Sequence, residues 1–360
     1  MKKTNKIVYG IIGSGWRAEF FLRITRELPD KFKVCGLVTR SEETGEKLEK
    51  SFGIKTYRTI DDLLRFTSPN FVVVSVPGNV TSSVIEELAH RGIPVLSETP
   101  PAPDLEALIR LNKLTEKGAK IQVAEQYHLQ PMHSARIAIA RSGKLGEVSQ
   151  AQVSFSHGYH GMSLIRKLLD IKFENAEINA FKFKAPFVGG PGRNGFTDNE
   201  RMVDAQQEIA LLNFGGKFAV YDFAQDQHRS FIRAQRILVR GDRGEINNSE
   251  VRYLADFRTP IEYELIEKIG GVNGNVEDYS IKGILAGEHW AYTNPFYPAK
   301  LSEDEIAVAT CLEKMDAYVK GAPDFYSLAE ASQDQYLGMM ISKAIRTGEK
   351  VVTENQPWTP

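Results

Sequence analysis

Two glycines near the start of the chain, Gly13 and Gly15, have the spacing that holds the phosphates of a dinucleotide. They follow the apolar run Ile7–Ile12 and precede Ala18, which completes a G-x-G-x-x-A pattern before a stretch of helical periodicity. In such a unit the first glycine permits a tight turn, the second lets the backbone approach the phosphates, and the helix presents free N–H groups to them. The pattern predicts a dinucleotide site. Trp16 begins the helical stretch, where it either lies over the cofactor or simply packs.

A second group able to do chemistry is the pair His157 and His160. Imidazole titrates close to neutral pH, so it suits proton transfer to or from a substrate hydroxyl. We predict His160 as the acid/base and Tyr159 as its hydrogen-bonding neighbour; the alternative is that His160 packs and caps a helix start. Two histidines without a further ligand at suitable spacing do not predict a metal site.

The end of the second predicted strand reads Thr39-Arg40-Ser41, without the acid that would bind ribose hydroxyls. Hydroxyls and a guanidinium suit a 2′-phosphate, so the cofactor is predicted to be NADP in preference to NAD. The alternative is that Arg40 is a solvated charged residue of the loop and that the ribose is bound by other residues. Ser41 is also a candidate N-cap for the next helix. Arg17, at the start of the first helix, is predicted to lie over the phosphates or at the substrate entrance.

Two further segments follow apolar strands. Glu98-Thr99-Pro100-Pro101 has two prolines that fix a turn where open α/β sheets bind ligands, and Thr99 can hydrogen-bond a substrate or the cofactor. Its hydroxyl does not titrate near neutral pH, and the segment is alternatively only a rigid turn. Gln126 and Tyr127 follow a later strand as cofactor or substrate contacts. A loop containing Arg193 either contacts an anion or is a plain hairpin loop.

The elements that position these residues fall into two groups. Strands alternate with helices up to residue 125, which predicts a doubly wound parallel sheet. Period-two strands then dominate, with a hairpin at Asn213–Lys217, and two helices close the chain at Glu303–Lys320 and Leu328–Thr347. We therefore predict a Rossmann domain over residues 1–125 and an α+β domain with a large, open, mainly antiparallel sheet over 126–360.

Composition sets further bounds. The 360 residues are 42% hydrophobic, with a formal charge of −1 that argues against nucleic-acid or membrane-surface partners. No apolar run approaches the ~20 residues of a membrane span, and the start lacks a signal-peptide pattern. Cys35 and Cys311 lie among apolar neighbours and are predicted to be buried, reduced thiols of a cytoplasmic protein.

Several ordered segments resemble the glucose–fructose oxidoreductase/inositol dehydrogenase/MocA (Gfo/Idh/MocA) family. The resemblance implies NAD or NADP, a hydride moved to or from a carbinol carbon of a sugar or polyol, and cofactor contacts at Pro77, Asn79 and Glu98. The segments that carry it are Gly10–Gly15, Val76–Thr81, Val95–Pro100, Ser142–Val148 and Gly241–Glu245.

Two departures from that pattern fall on the chemistry. Thr99 replaces the Lys of Glu-Lys-Pro, and Ser156 replaces the Asp of Asp-x-x-x-His. The leading hypothesis is an NADP(H)-dependent oxidoreductase of a small-molecule substrate, with a cofactor-binding regulator and an NAD-dependent glycosidase as alternatives. An open antiparallel sheet also predicts a homodimer or homotetramer. The aromatic residues near Trp290 either floor a sugar site by stacking or serve packing or a subunit contact; they are Trp290, Tyr292, Phe296 and Tyr297.

Overall fold

Two sheets organise the protein in a computed structural model that describes residues 6–193, 195–196, 198–274 and 279–359. The first sheet is parallel and has the strand order β3-β2-β1-β4-β5-β6. Its strands are β1 (Ile7–Ile12), β2 (Phe32–Val38), β3 (Thr56–Tyr57), β4 (Phe71–Val74), β5 (Val95–Ser97) and β6 (Ile121–Val123). The helices between them are α1 (Ala18–Glu27), α2 (Glu42–Phe52), α3 (Ile60–Phe66), α4 (Gly78–His90) and α5 (Leu105–Glu116). This is the doubly wound order that the alternating pattern predicts.

The second sheet is mainly antiparallel and has eleven strands within the described residues. Its order is β16-β15-β14-β13-β12-β11-β7-β10-β9-β8-β17; among the strands that the structure describes here, β7 and β10 pair in parallel and the others are antiparallel. The elements of this half are α6 (Pro131–Ala140), β7 (Val148–Ser154), α7 (Gly158–Leu169), β8 (Glu177–Val188), β9 (Met202–Asn213), β10 (Phe218–Ala224), β11 (Arg236–Gly241), β12 (Gly244–Asn247), β13 (Glu250–Asp256), β14 (Thr259–Gly270), β15 (Ser280–Ala286), β16 (His289–Thr293), α8 (Glu303–Val319), α9 (Leu328–Thr347) and β17 (Val351–Val352). The fold class expected from the sequence is confirmed.

Local sequence explains most of the element ends. Ser41 caps α2, because its hydroxyl accepts a hydrogen bond from the Thr44 backbone N–H at 3.2 Å. Ser302 and Glu305 form a capping box at the start of α8. The predicted hairpin joins β9 to β10 through Gly215 and Gly216, both at positive φ. By contrast, the sequence did not reveal β3 and α3, since a two-residue strand is too short to show periodicity.

The closing helices pack on the parallel sheet as well as on the second one. Ile306 and Leu312 of α8 share a core with Tyr9 and Phe21, and Arg23 donates to Glu305 at 2.6 Å. These contacts join the end of the chain to its beginning. The division at residue 125 stays a prediction.

The two cysteines differ in burial. Both are free, and Cys311 is fully buried in the core of α8. Cys35 is only half-buried, so the prediction that both thiols are buried was wrong for it, because β2 lies near the sheet edge where only short β3 covers it. None of the helices in the described residues combines the length and apolar character of a bilayer-spanning segment.

Candidate active site

A cleft of about 1310 Å³ runs along the carboxyl ends of the parallel strands and is closed on one side by the start of α7 and by loops of the second sheet. It gathers most of the residues that the sequence suggested. Those lining it are Gly13, Gly15, Trp16, Arg17, Thr39, Arg40, Pro77, Glu98, Thr99, Gln126, Tyr159 and His160. Ser41 and Asn79 do not line it: the Ser41 hydroxyl caps α2, and Asn79 is exposed in the first turn of α4.

The glycine loop fits a bound pyrophosphate. Gly13 has φ +114°, and a Cβ there would lie 1.9 Å from the carbonyl oxygen of Ser75, so only glycine fits. A Cβ on Gly15 would meet no atom within 4 Å, which means that its backbone borders open space. The following helix, α1, has no side-chain cap, and the positive end of its dipole lies beside the loop, where Trp16 and Arg17 line the cleft. Its Ala18 and Phe20 N–H groups donate to the Gly15 and Arg17 carbonyl oxygens.

Two arginines stand at the carboxyl end of β2. Thr39 is buried, and its hydroxyl lies 2.8 Å from that of Ser14, which joins this end of the cleft to the glycine loop. Arg40 is exposed beside it. Arg58, which the sequence analysis missed, directs its Nη1 atom at the Thr39 carbonyl oxygen, 3.5 Å away. Because Arg58 directly follows β3, recognising that short strand was the only signal that could have found it.

Arg17 is held by two carboxylates rather than standing free over the phosphates. Its Nε atom donates to Glu98 at 2.9 Å and its Nη1 atom to Asp304 at 2.6 Å. Burial raises the pKa of Glu98, and the Arg17 charge opposes that rise. Asp304 comes from the first turn of α8, and nothing near the glycine motif could have pointed to it.

His160 forms a buried pair with Glu125, a residue that the sequence analysis did not single out. The Nδ1 atom of His160 lies 2.6 Å from Oε2 of Glu125, and both side chains are almost fully buried. Glu125 lies two residues after the end of β6, and an acid after a buried strand was the available signal. Burial raises the pKa of Glu125 and lowers that of His160, because it disfavours the charged form of each group.

Two tyrosines flank the His160 ring. The centroids of the Tyr127 and Tyr159 rings lie 4.4 and 4.3 Å from it. Burial raises the pKa of Tyr127 to about 12, against the opposing effect of the neighbouring Ser156 hydroxyl. The Tyr159 hydroxyl donates to the Thr99 carbonyl oxygen at 3.4 Å, which ties the start of α7 to the Thr99 turn.

Two more histidines extend from His160 along the cleft. The His157 ring lies 5.1 Å from that of His160 and 5.8 Å from that of His228. Burial lowers the pKa of His157 and of His228 to about 4, so both are neutral near pH 7. The described residues contain no group of three or more His, Cys, Asp or Glu side chains placed to hold a metal ion.

Other candidates differ in where they lie. Gln126 is buried in the cleft wall, and its Oε1 atom has no hydrogen-bond partner among the described residues, which leaves it for a ligand. Arg193 reaches the cleft, with its guanidinium 4.1 Å from the centroid of the Trp16 ring. The aromatic residues near Trp290 do not line the cleft; Phe296, for example, is buried in the core.

A Rossmann sheet, a glycine loop with room for a phosphate group and the buried His160–Glu125 pair meet at one cleft, an arrangement typical of dinucleotide-binding folds. Residues 7–127 match the family described as "Oxidoreductase family, NAD-binding Rossmann fold", GFO_IDH_MocA. This match covers the Rossmann part of the chain and confirms the resemblance to the Gfo/Idh/MocA family seen in the sequence.

Individual relatives agree with this assignment. An inositol 2-dehydrogenase of Corynebacterium glutamicum is 28% identical over 151 residues, which cover 41% of this chain and only 44% of that relative. Two solved structures share the whole fold. An oxidoreductase from Agrobacterium radiobacter in complex with NAD+, L-tartaric acid and magnesium has a TM-score of 0.71 at 14% identity, covering 96% of this chain and 98% of that one. A levoglucosan dehydrogenase in complex with NADH and levoglucosan has a TM-score of 0.71 at 13% identity, covering 97% and 99%.

Proposed function

We propose that this protein is an NADP(H)-dependent oxidoreductase acting on a carbinol or carbonyl carbon of a sugar, polyol or related small molecule. The observation that carries the proposal is the His160–Glu125 pair, because it places an oriented proton carrier in the same cleft as the glycine loop. A protein that only binds the cofactor has no need to bury such a pair.

The cofactor end of the cleft is assigned as follows. Gly13, Gly15 and the first turn of α1 bind the pyrophosphate, and Arg40 with Arg58 binds the 2′-phosphate. The bound nicotinamide supplies the hydride acceptor or donor. The absence of an acid at the end of β2 supports NADP over NAD.

His160 exchanges the substrate proton through Nε2, because Nδ1 is occupied by Glu125. With one proton on the pair, Glu125 accepts from Nδ1–H and Nε2 is free to take the hydroxyl proton during oxidation. With two protons, Nε2–H donates to the carbonyl oxygen during reduction. Burial favours the two-proton form, because that form carries no net charge.

Thr99 has a binding role rather than a proton-transfer role. It lines the cleft beside Tyr159, and its hydroxyl can only donate or accept a hydrogen bond near neutral pH. Burial also raises the pKa of Tyr159, which keeps that hydroxyl protonated. Proton exchange therefore falls to His160 alone.

The test is turnover of His160→Ala with a substrate found by screening sugars, polyols and their oxidised forms for a change in nicotinamide absorbance. We expect turnover to fall about 10²–10⁴-fold while the Kd for NADPH stays unchanged. The exposed His90 provides the control, and His90→Ala keeps full turnover. Unchanged turnover in His160→Ala would remove this residue from the mechanism and favour a cofactor-binding regulator.

Self-association through the second sheet is part of the same proposal. The outward face of β8 exposes Phe181 and Phe183, with 65% and 60% of each residue accessible, and β14 exposes Ile266 and Ile269. A second copy of the chain would cover this apolar face. The test is the mass in solution, measured by light scattering, of the Phe181→Lys variant and of the unmodified chain. We expect the variant to be dissociated and the unmodified chain to be assembled.

A further inference from the structure

The carboxylates that line the cleft all have arginine partners, whereas several of its arginines have no carboxylate partner among the described residues. Each acid that lines it in the described residues has an arginine partner: Arg17 holds Glu98 and Asp304, and Arg91 holds Asp61 and Glu87. Each of these two arginines is shared by two carboxylates, so the four acids and two arginines together leave a net charge of −2.

Four arginines line the same cleft without a carboxylate partner among the described residues: Arg40, Arg58, Arg193 and Arg229. Arg40 and Arg58 stand at the end of β2, where the proposed function places the cofactor 2′-phosphate. Arg193 and Arg229 come from the opposite wall of the cleft, which loops of the second sheet provide. The proposed function assigns no ligand to these two arginines.

Arg193 and Arg229 are fixed on the substrate side of the cleft by two loops that pack together. Arg193 lies in the loop between β8 and β9 and stacks on Trp16. Arg229 ends the short 3₁₀ turn Gln227–Arg229 after β10. The loops touch at Gly190, where a Cβ would lie 2.7 Å from the Arg229 carbonyl oxygen.

A row of imidazoles connects these arginines to the reacting position. His228 neighbours Arg229, the His157 ring lies 5.8 Å from that of His228, and His160 follows at 5.1 Å. Neutral imidazoles supply hydrogen-bond donors and acceptors but no charge, so the positive charge of this wall comes from the two guanidinium groups.

We infer that the substrate carries an anionic group, a carboxylate or a phosphate, which Arg193 and Arg229 bind while its carbinol carbon lies at His160. The inference rests on the proposed function and adds the substrate class to it. Guanidinium groups bind both kinds of oxyanion through paired, charge-assisted hydrogen bonds, which neutral polyols do not offer. The Trp16 ring holds Arg193 in position without neutralising it.

The experiment measures binding to the NADPH-loaded protein by calorimetry at low salt. Its probes are glucitol, gluconate and a glucitol monophosphate, which share a carbon skeleton and differ in charge. NADPH cannot accept a hydride and none of the probes has an aldehyde or ketone group to receive one, so no hydride moves and binding is measured alone. Gluconate and the monophosphate distinguish a carboxylate from a phosphate. Variants Arg193→Gln and Arg229→Gln are compared with Arg233→Gln, whose side chain lies in the same loop region but over Phe187, away from the cleft.

We expect at least one anion to bind about tenfold or more tightly than glucitol, and each cleft variant to remove about tenfold of that gain. Arg233→Gln should leave it intact. The inference is overturned if neither anion gains over glucitol. It is equally overturned if the two cleft variants weaken NADPH instead of the anion, since the arginines would then serve the cofactor. Failure of the proposed function is distinguished by two other measurements. The protein would then not bind NADPH, or the His160→Ala variant would keep full turnover.

Discussion

Nδ1 of His160 and Oε2 of Glu125 lie 2.6 Å apart, although 35 residues separate them in the chain. His160 lies in the first turn of α7 and Glu125 lies after β6, so the contact joins the second half of the chain to the parallel sheet. The family pattern Asp-x-x-x-His supplies a carboxylate near the histidine, but this chain has Ser156 at the Asp position. Glu125 provides the carboxylate partner of the His160 imidazole instead.

Replacing Glu125 by Gln should lower kcat by about 10²-fold, because the imidazole loses the group that fixes its tautomer and stabilises its charge. The Kd for NADPH should not change, since the Glu125 side chain does not line the cleft. Steady-state kinetics and NADPH fluorescence measure the two quantities. The exposed Glu147, changed to Gln, is the matched control; equal turnover in both variants would contradict the role of Glu125.

The pH dependence should report the same pair. Burial raises the pKa of Glu125, so the pair keeps its second proton to a pH above the ordinary carboxyl range. Oxidation needs the one-proton form, so its kcat/KM rises with pH through that raised pKa, whereas reduction falls. In Glu125→Gln, burial and the Arg17 charge lower the pKa of His160, and the Asp304 charge opposes them. The ionisation then moves about one unit or more toward acid, as pH–rate profiles would show.

The two loop glycines should fail in different ways. Gly13→Ala places a Cβ against the Ser75 carbonyl oxygen, so we expect a lower Tm even without cofactor. Gly15→Ala meets no protein atom and should keep the Tm, but its methyl group enters the space of the pyrophosphate and weakens NADPH binding about tenfold or more. Thermal unfolding with and without NADPH separates these outcomes. Equal NADPH affinity in Gly15→Ala would place the pyrophosphate elsewhere.

Cofactor preference should depend on Arg40 and Arg58. Loss of either guanidinium should cost about 1.5–3 kcal/mol of NADPH binding, or roughly 10- to 150-fold, and leave NADH binding unchanged. Titrations of Arg40→Ala and Arg58→Ala with both cofactors measure this. Arg65→Ala, an exposed change on α3, is the control. A parallel loss of NADH affinity would mean that the arginines contact the shared part of the cofactor.

Acid should destabilise the protein partly through His133. Burial next to Arg136 holds the pKa of His133 well below its usual range, and its Nε2 atom has no partner among the described residues. The unfolded chain binds this proton near pH 6.5 and the folded chain does not. Stability therefore falls as pH drops below 6.5, by up to about 1.4 kcal/mol per pH unit. His133→Gln should reduce the difference between urea midpoints at pH 7 and pH 5, whereas His90→Gln should not.

Local patterns in the sequence were sufficient to predict the main features of the fold. The glycine spacing, the alternation of strands and helices and the hairpin at Asn213–Lys217 each depend on residues close together in the chain, and all three are present in the structure. The predicted cofactor residues also came largely from such patterns. Ser41 shows the limit, because the same hydroxyl satisfied both the capping signal and the phosphate signal, and the structure uses it as the cap.

What the sequence alone determined is that this chain forms a dinucleotide-binding Rossmann unit followed by a large, mainly antiparallel sheet. Only the tertiary structure paired His160 with Glu125, joined Arg17 to Asp304 across 287 residues and brought Arg193 onto Trp16. The reason is physical. A turn or a helix cap is determined by the geometry of neighbouring backbone residues, whereas the partner of a buried charge is determined by how distant elements pack. The periodicity of the sequence does not predict that packing.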